Sequence, residues 1–371
     1  MSKFDQSILK RLYADARFDS KIAETLAVTD KTVALVRVRN PLYLIALERR
    51  FNVVGEYPFI RSLGIECGLA EAITLERMAE VECVSGESRV SCLGALENAF
   101  ATPFSVQNSR LTGKGATLCV MDTGVSPHSD LSVPKERIVH FVDMINGESE
   151  PYDDNGHGTF VGGIAIGNGL LSGRKICGVA PDASVIGLKV IGEKGESGTF
   201  KILDGMQWLF DNFRQYGINV VCMSFGAEPL EFADPLKIGA EMLARSGLIV
   251  VAASGNSGEN HLKSPAISSE IISVGAVDEK GKVTDFTSRG EYNGIFRPDV
   301  YAKGVNVKGI KAGGAYSTMT GTSASAPYIA GACCLLAEKY HNLTPAQAKS
   351  MILSSSKNID ENLVFDLDDI Q

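Results

Sequence analysis

A large α/β domain on a doubly wound parallel sheet, preceded by a small α+β domain, is the architecture predicted by this sequence of 371 residues. Two observations predict it. From about residue 110 glycine becomes frequent and short apolar runs without polar alternation recur, the pattern of strands covered on both faces, with helical stretches between them. Before about residue 90, short β-branched runs and two helical segments follow one another in the order β-α-β-β-α-β.

Taken in order, residues 1–30 are charged and helix-prone with few apolar positions in a coherent stripe, and read as a solvated helical extension. Thr32–Val38 (TVALVRV) is rich in β-branched residues and reads as a strand. Asn40 and Pro41 offer an N-cap and a first helical position for a helix carrying Leu44, Leu47 and Phe51 at helical spacing. Strands are expected around Val53–Ile60 and Leu63–Cys67, a helix over Ala70–Glu80 and a last strand over Val81–Val90. This is the split βαβ order of a small ferredoxin-like domain, residues 31–90. In the remainder, residues 91–371, strands are expected at Ala116–Met121, Val185–Ile191, Val220–Met223, Leu248–Ala253 and Ile271–Val277. Helices are expected at Phe200–Asn212 and Pro235–Arg245.

The formal net charge of -8 argues against a nucleic-acid partner, which a basic stripe would mark. No apolar run reaches the roughly eighteen residues of a membrane-spanning helix. The first residues lack an apolar core and a small-residue cleavage site, so a cytoplasmic location is expected, with export by another route left open. The eight cysteines form no CxxC pair and read as reduced, mostly buried thiols. None of the five histidines pairs at HxH or HxxxH spacing, so no metal site is expected.

Three segments carry chemistry. Asp122 ends the run ATLCVM before Thr123-Gly124 turns the chain away; alone, it reads equally as a turn or capping residue. His157 lies between Gly156 and Gly158 at the start of an apolar helical stretch, where an ordinary loop histidine would also fit. Ser323, in Gly321-Thr322-Ser323-Ala324-Ser325-Ala326-Pro327, is either an N-cap or a nucleophile at a helix N-terminus. Their combination in the order Asp, His, Ser, as VMDTGV, NGHGT and GTSASAP, resembles the subtilisin family over residues 105–355. Val251–Gly258 (VAASGNSG) resembles that family's oxyanion-hole segment.

The resemblance implies a subtilisin-like serine endopeptidase acting through an acyl-enzyme, with Asp122, His157 and Ser323 as triad and Asn256 as the oxyanion donor. It implies no organic cofactor and a protein or peptide substrate bound as an added strand between Gly195-Glu196-Ser197-Gly198 and Ser224-Phe225-Gly226. It implies that Ala253, Ser254 and Gly255 line the same cleft. Phe200, Leu203 and Phe225 fall where the family forms a pocket four residues upstream of the cut, with ordinary core packing as the alternative. Lys263 matches the floor of the pocket for the residue on the acyl side, where it would narrow the pocket or make it positive, or else extend to solvent. Gly167–Gly178 contains Arg174-Lys175 and no carboxylate, so the family's tight calcium site is not expected, although backbone carbonyls leave calcium possible. Phe160 and Ala324 stand where the family often has histidine and methionine. Related enzymes carry a propeptide of the β-α-β-β-α-β shape, so the small domain is expected to be an intramolecular inhibitor, removed autocatalytically at a bond between about 87 and 97. A non-catalytic relative and an acyl transferase are the alternatives. Neither a GxGxxG turn nor a P-loop supports nucleotide binding.

Overall fold

The structure, a computed structural model, describes residues 3–97 and 111–367. Residues 1–2, 98–110 and 368–371 lie outside the described residues, and with them the first positions of the stretch, from about 105, that carries the resemblance.

The N-terminal unit comprises α1 (Lys3–Ala14), α2 (Ser20–Val28), β1 (Thr32–Val38), α3 (Leu44–Glu48), β2 (Val53–Tyr57), β3 (Ser62–Cys67), α4 (Leu69–Arg77) and β4 (Val81–Ser85). Its sheet is antiparallel throughout, in the order β2-β3-β1-β4. The Asn40 side chain accepts the Leu42 N–H at 3.0 Å, and Pro41 opens the 3₁₀ turn that leads into α3.

The first thirty residues differ from expectation. They are not a solvated extension: Ile8, Leu9, Leu12, Phe18, Ile22, Ala23 and Leu26 are buried in one cluster with Val36, Leu63, Ile65, Leu75 and Val84. Each helix offers only a narrow apolar stripe, and the two stripes become a useful face only when the helices pack side by side. Backbone bonds anchor the turn between them, Asp19 N–H to Val84 O and Val84 N–H to Arg17 O, both at 2.8 Å.

The expected strand Val81–Val90 breaks at Gly86. Glu87 turns to accept the N–H of Phe200, and the chain resumes as β5 (Arg89–Cys92) in a different sheet. After β6 (Ala95–Glu97) the α/β domain unfolds in order as β7 (Thr117–Asp122), α5 (Ser129–Ser132), β8 (Ile138–Asp143), α6 (His157–Ile166) and β9 (Ser184–Lys189). It continues through β10 (Glu196–Gly198), α7 (Thr199–Asn212), β11 (Val220–Met223), β12 (Phe225–Gly226), α8 (Pro235–Arg245), β13 (Ile249–Ala253) and β14 (Ile272–Val277).

The main sheet runs in the order Val300–Lys303, β14, β13, β11, β7, β9, β8, all parallel. A C-terminal hairpin, Ser356–Ile359 with Asn362–Phe365, extends its first edge. Strand periodicity divides the core into two layers. Leu118 and Val120 of β7, with Val251 and Ala253 of β13, face the layer holding α6 and the helix Thr322–Lys339. Cys119, Met121, Val250 and Ala252 face the layer of α7 and α8. That second layer also takes Tyr57, Phe59 and Ile60, which leave the core of their own unit and seal it against the larger domain. Tyr57 stacks on Phe200 with centroids 6.3 Å apart and donates to Asp204 at 2.9 Å, while Phe59 meets Phe210 at 5.6 Å.

Candidate active site

Asp122 is the last residue of β7, the strand about which the chain order reverses, and such switch points gather ligands at strand carboxyl ends. His157 is the first residue of α6, whose residues are buried on every side. Two features place it against Asp122. A side chain on Gly158 would come within 2.2 Å of the Gly124 carbonyl, so only glycine allows this approach. Asp153 holds the helix start, taking the N–H groups of Gly156 and Thr159 at 2.7 and 2.8 Å and the Thr123 hydroxyl at 2.9 Å. The outcome is an Asp122 Oδ1···His157 Nδ1 distance of 2.8 Å between fully buried groups. Burial opposes the charged ring, but the adjacent Asp122 carboxylate and the Cys92 sulfur together outweigh it and hold the His157 pKa well above its ordinary value.

Ser323 is the second residue of Thr322–Lys339, entered through Gly321. Pro327 lies inside that helix and has no N–H for the carbonyl four residues back, that of Ser323. The Ser224 hydroxyl donates to this carbonyl at 3.3 Å, and the Ser323 hydroxyl donates to the Ser224 carbonyl at 2.8 Å. In this state, therefore, Ser323 Oγ points away from His157, whose Nε2 is buried without a hydrogen bond among the described residues.

Asn256 follows β13. Its Oδ1 accepts the N–H and the hydroxyl of Thr322, both at 2.9 Å, which aims its amide N–H forward. That amide donates at 2.6 Å to the carbonyl of Leu93, and the Ser323 N–H donates to the same oxygen at 3.2 Å. The two donors expected to cradle an oxyanion thus converge on one peptide carbonyl of the chain itself.

The surrounding chain lies as a strand through the cleft. β5 is antiparallel to both β10 and β12, with Val90 opposite Ser197 and Ser91 opposite both Glu196 and Gly226. Leu93 N–H donates to Ser224 O at 3.1 Å and Cys92 N–H to Gly195 O at 3.0 Å. Beyond Leu93, β6 pairs antiparallel with Tyr316–Thr320. A side chain on Gly94 would meet Met319 Sδ at 2.9 Å and Ser323 Cβ at 3.2 Å, so the position after Leu93 accepts only glycine without rearrangement.

Gly195, Glu196, Ser197, Gly198, Ser224, Phe225 and Gly226 all stand in or beside the two strands that flank β5. Val90 is fully buried in one apolar cluster with Leu203 and Phe225, and Phe200 lies at its margin against Tyr57. Ala253 ends β13 and Ser254 follows it, both buried, before Gly255. Lys263 is at the pocket but is neither a free positive charge nor a solvent tail. Its Cβ and Cγ lie where side chains on Gly226 and Gly255 would reach, Leu93 Cδ1 abuts Gly226 as well, and its ammonium pairs with Glu228.

Sequence reasoning missed Asp153, Thr322 and Lys189. The fully buried Lys189 ammonium bonds Thr123 O at 2.6 Å and Asp154 Oδ1 at 2.7 Å, tying the end of β7 to the loop before His157. An aspartate three residues before Gly156 was a readable capping signal; a lysine inside an apolar strand gave none.

The sequence pattern of the subtilase family matches residues 113–367. The serine protease AprX of Bacillus subtilis (strain 168) is 35% identical over 287 residues, covering 68% of this chain and 64% of AprX, so the chain spans under two thirds of that relative. Subtilisin DY of Bacillus licheniformis is 33% identical over 266 residues, covering 70% of this chain and 90% of the relative. A crystal structure of a cold-adapted subtilisin-like serine proteinase superposes with a TM-score of 0.59 at 26% identity, over 73% of this chain and 92% of that one. Together with the Asp122–His157 pair and the donors at Leu93, these matches place the chain in the subtilase family of subtilisin-like serine proteases.

Proposed function

We propose that the protein is a serine endopeptidase made as a latent precursor, in which residues 1–93 form the intramolecular inhibitor and the Leu93–Gly94 bond is the one it cuts in itself. The observation that carries this reading is the Leu93 carbonyl, held by the Ser323 and Asn256 N–H groups while its flanks pair as strands on both sides of the cleft.

The chemistry follows from the geometry. Ser323 Oγ rotates from the Ser224 carbonyl toward His157 Nε2, which takes its proton, and attacks the Leu93 carbonyl carbon. Charge on the Leu93 oxygen is met by the two donors already in place. His157, its charged form favoured by Asp122, then gives its proton to the amine of Gly94, and water releases the acyl group by the reverse path. The inhibitor stays docked through Tyr57, Phe59 and the Glu87 cap, in a ferredoxin-like domain extended by α1 and α2.

Specificity follows from the same occupants. The pocket floored by the Lys263 stem takes a medium apolar side chain such as Leu93, because Glu228 neutralises the ammonium. The pocket of Leu203 and Phe225 takes a β-branched residue such as Val90. Calcium is not required in this reading, since Asp130, beside the Gly167–Gly178 turn, is occupied by Tyr316 OH and Leu171 N–H at 2.7 Å each.

Fluorophosphonate labelling tests the reading. Ser323 should label only after processing and release of the N-terminal unit, and Ser323→Ala should neither label nor process. Rapid labelling of the intact chain, or none at any stage, would overturn it.

A further inference from the structure

We propose that the precursor carries a binding site for a soft divalent cation of the zinc class, formed by Cys92 of the docked strand together with His157 and Asp122, and that its occupation blocks self-cleavage. This rests on the latent-protease reading, because one ligand comes from the strand that occupies the cleft.

Three observations meet at one point. Cys92 Sγ lies 4.0 Å from Asp122 Oδ1, and one ligand atom from each of Cys92, Asp122 and His157 lies within 4.8 Å of the others. Asp122 Oδ1, the oxygen that Cys92 approaches, faces His157 Nδ1 at 2.8 Å in side chains only 0% and 2% exposed, and Asp122 Oδ2 makes no hydrogen bond among the described residues. An orphaned buried carboxylate oxygen carries a desolvation cost that a ligand would relieve, and an ion held by His157 Nδ1 and Asp122 would take the place of their hydrogen bond. Finally, a cavity of about 450 Å³ bordered by Cys92, His157, Asn155 and Gly195 gives the cluster a route to solvent and room for a water as fourth ligand.

The distances suit the ion. Tetrahedral zinc with Zn–S of about 2.3 Å and Zn–O of about 2.0 Å spreads sulfur and oxygen by about 3.5 Å. The 4.0 Å found here is therefore half an ångström from that spread, within reach of a small rotation about the Cys92 Cα–Cβ bond. A thiolate, an imidazole and a carboxylate together match the preferences of zinc and cadmium rather than of calcium or magnesium. Binding replaces the Cys92 thiol proton, which leaves to solvent, and needs no redox partner. It also takes the His157 Nδ1 lone pair and leaves the ring proton on Nε2, where the Ser323 proton would have to go, so the general base is lost while the metal stays.

The site is composite, which sets its consequence. Once Leu93–Gly94 is cut and the N-terminal unit departs, Cys92 leaves with it and the sulfur ligand disappears. Zinc should therefore block maturation at concentrations that leave the matured protease active. Spacing along the sequence hides such a site, because its three ligands come from β5, β7 and α6.

The test uses the full chain with Ser323→Ala, so that it stays intact. Titration with Cd²⁺ should give the ultraviolet thiolate-to-cadmium charge-transfer band at one equivalent. Cys92→Ser and Cys92→Ala in that background should each weaken binding by about a hundredfold or more, since even outer-shell changes cost 10–100-fold. In the wild-type chain Zn²⁺ should slow processing, and in Cys92→Ser it should not. Absence of the band, an equal band in both Cys92 variants, or processing indifferent to zinc would overturn the proposal. Failure of the protease reading would look different: no processing even with metal chelated.

Discussion

Phe59 tests how the N-terminal unit is held. Its ring is 5% exposed and belongs to the cluster of α7 and α8, not to the core of its own unit. An aromatic side chain buries at least about 150 Å², worth about 4 kcal/mol at about 25 cal/mol/Å². The β-carbon kept by alanine and partial repacking bring Phe59→Ala to about 2–4 kcal/mol, in the range of interface anchors. At 1.4 kcal/mol per factor of ten this is about a 30- to 700-fold weaker docking. The assay is dilution of the processed but still associated protein into a fluorogenic peptide, reading the rate at which activity appears. A control on the Ser323→Ala chain should show α1–α4 and their sheet melting as before, because their cluster contains no Phe59. Release unchanged within about threefold would refute the assignment of Tyr57–Ile60 as the docking wedge.

Further outcomes follow from the same geometry. Asn256→Ala should lower turnover by about a hundred- to a thousand-fold with KM little changed, a magnitude carried over from the equivalent donor of a subtilisin; peptide kinetics on the matured enzyme read both constants. Lys263→Ala should enlarge the acyl-side pocket and shift a peptide library from leucine toward aromatic residues, whereas a preference for arginine in the wild type would sink the account of that pocket. Burial raises the Glu87 pKa and the Phe200 N–H only partly offsets it, so the docked state holds the Glu87 proton more tightly than the released state. Its contribution to docking is complete below the ordinary carboxylate pKa and is lost as pH rises through the raised value. Release should therefore quicken over that window and flatten there in Glu87→Gln. Lys189→Met should misplace the β7 end and reduce kcat, and an unaltered pH profile and rate would show that the ammonium does not position Asp122.

Most of the architecture was legible because it rests on local signals. The apolar runs at β11 and β14 and the helix α8 behind Asp234-Pro235 stand at or within one residue of expectation. β8 was not legible, since His140 interrupts its apolar pattern, nor was the C-terminal hairpin, whose strands are half exposed. Residues 1–30 were misread because each helix is too weakly amphipathic alone and gains its apolar face from its neighbour. At the site, Asp122, His157, Ser323 and Asn256 were singled out from flanking glycines and their order, and the structure brings them together around Leu93. The occupant of the cleft was not. That Leu93 rather than another residue of 87–97 meets the donors depends on the span from Glu87, fixed at the start of α7, through a strand whose register β10 and β12 set.

The most direct test of self-inhibition at Leu93 is the intact mass and terminal sequence of the two fragments that the purified wild-type chain makes of itself. One fragment should end at Leu93 and one begin at Gly94, with Ser323→Ala remaining a single chain. Cleavage at any other bond, or the same fragments from Ser323→Ala, would contradict it.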